Sequence, residues 1–258
     1  MTRTRLQDRL AAGDPVVGYW TTFADPAVPE LVAGTGFDFV VVDTEHTPLG
    51  LETVAESLRA IDAADGDAAS VVRVPWNDAV RIKRVLDLDP SGVIAPMVST
   101  PDEAAEFVAA TRYPPDGTRG IGLGRSAEYG RDVAGQVERD DAGLVRIAQI
   151  ETESGVEHAH EIAAVDGLDA LFVGPGDLSA ALGSFGDYDG AFAEAVDRVI
   201  DAGSAEKMPV GTLATSPDGV TEWLDRGFDF VVCGVDALDL IRAVEESLAA
   251  HETARGEQ

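Results

Sequence analysis

The sequence contains very little lysine or cysteine, and each shortage excludes a class of chemistry. Its 258 residues include two lysines, Lys83 and Lys207, and a single cysteine, Cys233. One cysteine cannot form an intrachain disulfide, and it excludes metal sites built from several thiolates. The N-terminal residues lack the apolar run of a signal peptide, and no stretch approaches the roughly 18 apolar residues of a membrane helix. We therefore expect a cytoplasmic protein with no membrane partner.

Basic residues are also scarce relative to acidic ones. Aspartate and glutamate total 47 against 19 lysines and arginines, which gives a net charge of −28. Such a charge repels phosphate backbones, so we expect no nucleic-acid partner. The acidic residues are dispersed along the chain, and no block of them forms a tail. This dispersal favours a halophilic surface over a cation-binding or acidic interaction module.

The length and the hydrophobic pattern predict the fold class. The chain is close to the roughly 250 residues of one (β/α)8 barrel. Short runs rich in valine, isoleucine, leucine and phenylalanine alternate with helical stretches, as expected of parallel strands that are buried on both faces. The predicted strands cover residues 16–21, 37–43, 70–74, 92–97, 145–150, 170–173, 210–213 and 228–233. We expect an α/β TIM barrel that forms a single domain over residues 1–258.

The active site of a TIM barrel lies at the C-terminal ends of its strands, so the polar residues there are the candidates. His46 follows the second predicted strand. It could act as a general base because its unperturbed pKa is near neutrality, or it could be structural. Arg73 lies within the apolar third strand, where a charge is costly to bury unless it is paired. It could hold a carboxylate or a developing enolate oxygen, or form a structural ion pair.

Two carboxylates follow the fifth and sixth predicted strands. Glu151 and Asp177 are candidate ligands for a hard cation such as Mg²⁺ or Mn²⁺, or they are solvated strand-end acids. Neither Lys83 nor Lys207 lies at a strand end. A class I aldolase needs a lysine for its Schiff base, so an aldolase with this sequence would have to use a metal as its electron sink.

Residues 113–130 form a segment rich in glycine, proline and arginine between the fourth predicted helix and the fifth strand. It follows no strand, so the dinucleotide-binding fingerprint does not apply. Two interpretations are open for this segment. It is either a lid near the barrel mouth that carries Arg119 or Arg125, or a plain connecting loop.

Five motifs in order resemble the HpcH/HpaI aldolase family, over residues 17 to about 237. They are GFDFVVVDTEH at residues 36–46, RVP at 73–75, RYPPDGTRG at 112–120, QIET at 149–152 and FVGPGDLS at 172–179. The resemblance implies a hexameric, metal-dependent TIM-barrel aldolase. Such an enzyme cleaves a 4-hydroxy-2-oxo acid, for example a 2-keto-3-deoxy sugar acid, to pyruvate and an aldehyde through a pyruvate enolate.

The resemblance also implies roles for individual residues. His46 matches the catalytic base and Arg73 the arginine that stabilises the enolate oxygen. Glu151 and Asp177 match the ligands of a divalent metal, Mg²⁺ or Mn²⁺ with Co²⁺ as a further option. Asp43 matches a carboxylate close to the base. The positions that match substrate-binding residues are Gln149, Gly174, Pro175, Gly176 and Asp177. Gly176 departs from the alanine that the family often carries there.

Two other functions remain open beside the aldolase. One is a citrate-lyase-like or malyl-thioester lyase on the same barrel, although the sequence has no evident basic patch for the phosphates of coenzyme A. The other is a non-catalytic, acidic, metal-binding barrel.

Asp87 matches an acid that raises the basicity of the histidine, which conflicts with its position in the barrel. It ends a helix that starts near the mouth, and about ten helical residues at ~1.5 Å each carry it some 15 Å away. We therefore expect Asp87 to reach His46 only across a subunit interface.

The halophilic interpretation predicts a stability that depends on salt. Repulsion among the dispersed carboxylates opposes folding, and dissolved ions screen it. The midpoint of thermal unfolding, followed by circular dichroism, should therefore rise from low to multimolar salt. Equal midpoints at both salt concentrations would refute the interpretation.

Overall fold

Eight parallel strands close into a barrel in the computed structural model, which describes residues 4–256. The strands are β1 (Val16–Thr21), β2 (Phe39–Asp43), β3 (Ala69–Arg73), β4 (Gly92–Ala95), β5 (Val145–Ile150), β6 (Ala170–Val173), β7 (Val210–Ala214) and β8 (Phe230–Val235). Each strand pairs with the next one in the sequence, and β8 pairs with β1. The prediction of a TIM barrel is confirmed.

Helices surround the barrel; the first precedes β1, and the others come after strands. They are α1 (Thr4–Ala12), α2 (Ala27–Ala33), α3 (Leu51–Ala63), α4 (Ala79–Leu86), α5 (Pro101–Thr111), α6 (Val133–Gly143), α7 (Glu153–Glu157), α8 (Ala159–Ala163), α9 (Pro175–Ala181), α10 (Ala191–Glu206), α11 (Pro217–Arg226) and α12 (Asp236–Gly256). A short irregular helical turn covers Arg125–Gly130. None of the helices within residues 4–256 is long and apolar enough to span a bilayer.

The inside of the barrel is filled by large side chains, so it is a packed core. Phe39, Phe172 and Phe230 are buried there, and the ring centroid of Phe230 lies 6.2 Å from that of Phe39 and 6.3 Å from that of Phe172. Gly18 and Gly211 make room for them, because a Cβ at these positions would lie 2.3 and 2.2 Å from the rings of Phe39 and Phe230. The core therefore depends on glycines that face phenylalanines across neighbouring strands.

The helix α1 was not predicted from the sequence, and it belongs to this core. Leu6 and Leu10 of α1 are buried in one cluster with residues at the barrel interior such as Phe39. The helix therefore covers the end of the barrel at which the strands begin. Its apolar residues are few and lie outside any strand–helix unit, which explains why the alternating pattern did not reveal it.

The sequence Gly-Phe-Asp-Phe occurs twice, at residues 36–39 and 227–230, and it has one structure in both places. Gly36 and Gly227 have φ values of +105° and +110°, which glycine adopts without strain. The carboxylates of Asp38 and Asp229 accept hydrogen bonds from the backbone N–H groups of the preceding strands, β1 and β7. This segment starts both β2 and β8, so β8 begins at Phe230, two residues later than predicted.

Residues 113–130 form a connecting loop at the end of the barrel opposite the mouth. Arg125 binds the carboxylate of Asp62, near the C-terminus of α3, and the carbonyl oxygen of Leu88 after α4. Arg119 is buried over the ring of Tyr113. The alternative of a lid over the mouth of its own barrel is therefore wrong, since both arginines face the far end.

Candidate active site

The register between β2 and β3 sets the first part of the site. Asp43 and Arg73 end these two strands and lie opposite each other in the parallel ladder. Arg73 donates from Nε to Oδ1 of Asp43 at 2.8 Å and from Nη2 to Oδ2 at 2.7 Å. Both side chains are buried. The pair is therefore a two-point ion pair in a poorly solvated place, the arrangement in which a guanidinium and a carboxylate interact most strongly.

Two further groups contact the same guanidinium. Nη1 of Arg73 lies 2.7 Å from Oε2 of Glu45, and the ring centroid of Trp20 lies 4.7 Å from the guanidinium carbon. Burial acts to lower the pKa of Arg73, but the hydrogen bonds and the charge of Asp43, followed by the charge of Glu45, raise it above its ordinary value. Arg73 is thus a permanent cation whose orientation is fixed on several sides.

His46 lies beside this arginine cluster at the barrel mouth. Its Nε2 is 3.7 Å from Oε2 of Glu45, and 65% of its side chain is exposed. His158, in contrast, directs Nδ1 to the carbonyl oxygen of Ser154 on the outer helix layer. The open position of His46 suits a group that exchanges protons with solvent or substrate.

Glu151 occupies the most buried position among the candidate ligands. Its Oε1 accepts a hydrogen bond from the backbone N–H of Met97 at 2.7 Å, and Oε2 accepts one from Nε2 of Gln149. Burial raises the pKa of Glu151 to about 7; the Met97 bond opposes this rise, and the charges of Glu45 and Asp177 add to it. A bare carboxylate is thus unfavourable there, and a nearby cation would stabilise its charged form.

Asp177 lies in the first turn of α9, directly after β6. The chain can turn so closely past Glu151 because residue 174 is glycine: a Cβ there would lie 2.5 Å from Oε2 of Glu151 and 2.8 Å from Nε2 of Gln149. At Gly176 a Cβ would meet no atom within 4 Å. The glycine that replaces the family's frequent alanine at this position therefore leaves the packing of the site unchanged.

The donors suit a hard divalent cation that is held by few protein ligands. Among residues 4–256, no group of three or more histidine, cysteine, aspartate or glutamate side chains is close enough together to form a metal cage. The pair Glu151 and Asp177 leaves coordination positions for substrate oxygens, in keeping with the oxygen ligands that Mg²⁺ and Mn²⁺ prefer. The raised pKa of Glu151 reflects a buried negative charge that such an ion would balance.

Asp87 lies at the other end of the barrel. It follows α4, and its Oδ1 is 3.7 Å from Nη2 of Arg119. Because His46 follows the C-terminal end of β2, the two residues of one chain are separated by the height of the barrel. The structure therefore brings together His46, Arg73, Glu151 and Asp177 with Asp43 and Gln149, and it keeps Asp87 apart from them.

Three contacts of the site were not predicted from the sequence. The residues that make them are Trp20 under the guanidinium, Glu45 beside it and Met97 at Glu151. Met97 adopts φ +58°, which is uncommon for a residue with a side chain and directs its N–H to the carboxylate. No sequence pattern predicts that conformation. Glu45, in contrast, precedes His46 in the motif at residues 36–46, but no role was predicted for it.

Comparison with known proteins agrees with this geometry. The family model described as HpcH/HpaI aldolase/citrate lyase matches residues 17–243. The chain belongs to this family. A 4-hydroxy-2-oxovalerate aldolase of Novosphingobium aromaticivorans is 38% identical over 93% of this chain and 91% of its own. A 4-hydroxy-2-oxo-heptane-1,7-dioate aldolase of Salmonella arizonae is 39% identical over 96% and 94%.

A solved structure supports the same assignment. The crystal structure of an HpcH/HpaI aldolase/citrate lyase family protein from Burkholderia cenocepacia superposes with a TM-score of 0.93 at 34% identity, over 96% of this chain and 99% of that one. The predictions of the family and of an enzyme acting on carbon–carbon bonds are thereby confirmed.

Proposed function

We propose that this enzyme is a metal-dependent aldolase that reversibly cleaves a 4-hydroxy-2-oxo acid to pyruvate and an aldehyde. The observation that carries the proposal is the juxtaposition of a fixed arginine with a carboxylate pair at one barrel mouth. Arg73 is held by Asp43, and Glu151 is buried with a raised pKa next to the charge of Asp177. The names of the two relatives, both aldolases of 4-hydroxy-2-oxo acids, support it.

In this proposal Glu151 and Asp177 hold the divalent ion, Mg²⁺ or Mn²⁺ with Co²⁺ as a further option. The ion supplies a Lewis acid that polarises the 2-oxo group of the substrate. Gln149, Gly174, Pro175 and Gly176 line the adjoining substrate position. The amide oxygen of Gln149 is buried with no hydrogen-bond partner within residues 4–256, so it is available to a substrate hydroxyl or water.

His46 and Arg73 carry out the proton and charge movements. His46 removes the proton of the 4-hydroxyl group, the C3–C4 bond breaks, and the aldehyde leaves while the electron pair stays on the pyruvate fragment as an enolate. The N–H groups of Arg73 donate to the enolate oxygen, where negative charge develops. A proton from solvent then adds to C3 and gives the methyl group of pyruvate, while His46 returns to solvent the proton that it removed. Asp43 serves this step by fixing the guanidinium of Arg73.

We also propose that the protein works as a hexamer in the cytoplasm of a halophile. Helix α12 supports the assembly because it exposes a set of large apolar side chains, Leu238, Leu240, Ile241, Val244 and Leu248. Asp87, distant from His46 in its own chain, would then reach the His46 of a neighbouring subunit. The net charge of −28 supports the halophilic surface.

Proton exchange into pyruvate tests the proposed chemistry. The enzyme should exchange the methyl protons of pyruvate for deuterium in D₂O when Mn²⁺ or Mg²⁺ is present, because enolisation is the reverse of the last step. Chelation should stop the exchange, and Glu151→Gln should raise the metal concentration needed for it. Proton NMR of the methyl signal follows the reaction. No exchange with any metal would favour the thioester lyase or the non-catalytic barrel.

Loss of the arginine should lower turnover of a 4-hydroxy-2-oxo acid. Arg73→Ala should lower kcat by the ~10²–10³ typical of losing an oxyanion donor. Arg73→Lys keeps the charge beside Asp43 but loses the two-point contact, so it should remain impaired. Arg81→Ala, an exposed arginine of α4, is the matched control and should keep normal kcat. Normal turnover by Arg73→Ala would contradict the assignment.

Mixed assemblies test whether Asp87 acts between subunits. His46→Ala and Asp87→Asn should each be impaired alone. Hexamers reassembled from both variants should regain activity, because some interfaces then combine an intact histidine with an intact aspartate. Steady-state assays of the mixture measure the recovery. Failure to regain activity after demonstrated subunit mixing would show that the two residues do not form a shared site.

A further inference from the structure

Glu45 contacts the arginine of the site, and the mechanism above gives it no role. Its Oε2 lies 2.7 Å from Nη1 of Arg73, and the side chain is only 11% exposed. We propose that Glu45 is a positioning residue that fixes the Nη1 side of Arg73 for stabilisation of the enolate. The proposal rests on the proposed function, since it assigns Glu45 a part in the step that Arg73 performs.

The ion pair that the fold needs is complete without Glu45. Asp43 already occupies Nε and Nη2 of Arg73 with two hydrogen bonds and balances its charge. It also comes from the strand next to Arg73, so the barrel register supplies it. Glu45 lies beyond the strand end and adds a second negative charge to one cation. A structural ion pair does not explain that addition.

The surroundings of Glu45 disfavour its negative charge. Burial is the largest influence and raises the pKa of Glu45 above its ordinary range; Arg73 and His46 lower it, and Asp43 and Asp177 raise it further. A largely buried carboxylate near other carboxylates adds little to stability, because its desolvation offsets its attraction to Arg73. A group held at a cost in this way is typical of functional sites.

The geometry shows what Glu45 adds to the site. Asp43 holds one edge of the guanidinium, and the Trp20 ring lies 4.7 Å from its central carbon. The carboxylate of Glu45 is the acidic group next to the Nη1 amino group. With Glu45 in place, a second carboxylate lies 2.7 Å from Nη1, so charged groups flank the guanidinium on both the Asp43 side and the Nη1 side. Small losses of such orientation lower turnover strongly.

Substitution of Glu45 separates a positioning role from a structural one. Glu45→Ala should lower kcat roughly 10-fold to 100-fold with little change in KM, while Glu45→Gln, which keeps an acceptor oxygen, should recover part of the loss. Both variants should unfold at or above the wild-type temperature. Asp43→Asn, which leaves buried Arg73 without its charge partner, should unfold at a lower temperature. Glu56→Gln, an exposed acid of α3, is the control and should match the wild type.

A double variant tests whether Glu45 acts through Arg73. In an Arg73→Ala background, Glu45→Ala should change kcat by less than about 3-fold, because the group that it positions is already absent. An unchanged kcat in Glu45→Ala alone, or a loss that persists undiminished in the Arg73→Ala background, would overturn the proposal. The latter result would instead assign Glu45 to His46, 3.7 Å away. Wild-type proton exchange, measured in parallel, shows independently whether the aldolase function itself holds.

Discussion

The two-point contact between Arg73 and Asp43 is the interaction on which the rest of the site depends. It joins the ends of neighbouring strands, so the same ladder that builds the barrel also aligns the guanidinium. Breaking a buried pair of this kind by removing one partner costs about 3–5 kcal/mol, since the other charge stays buried. The direction of Arg73 is therefore set by the fold. The segment that follows β2 then adds the second carboxylate, Glu45, and the histidine, His46.

A second constraint is the excess of negative charge around that arginine. Glu45, Glu151 and Asp177 influence one another electrostatically, while Arg73 is already paired with Asp43. An anionic 2-oxo acid would be repelled by such a mouth unless a cation entered with it. Because the mouth is poorly solvated, both the repulsion among the carboxylates and their attraction to a cation are stronger than in water. The carboxylates that disfavour one another's charge thus make binding of a divalent ion and of an anionic substrate mutually supportive.

The sequence predicted the features that arise from periodicity and from strand ends. Eight apolar runs predicted the barrel, and the rule that strand ends meet at one mouth placed His46, Arg73, Glu151 and Asp177 together. It did not predict contacts that depend on the exact path of the backbone. The N–H of Met97 reaches Glu151 through a positive φ, and Trp20 meets Arg73 from a strand two positions away around the barrel. Neither relation leaves a pattern along the chain. Helix α1 was missed for a different reason, since its few apolar residues lie outside the alternation of strands and helices.

Carboxylates on the surface and carboxylates in the site respond differently to dissolved ions. One chain can therefore carry an acidic surface and an acidic site. Surface carboxylates are exposed to solvent, where dissolved ions screen their repulsion within about 10 Å at 0.1 M salt and less at higher concentrations. The carboxylates of Asp43 and Glu151 are buried, so bulk ions screen them far less. Their interactions with Arg73, Met97 and Gln149 are short and directional. Dissolved salt therefore weakens the repulsion at the outside of the barrel more than it weakens the contacts at its mouth.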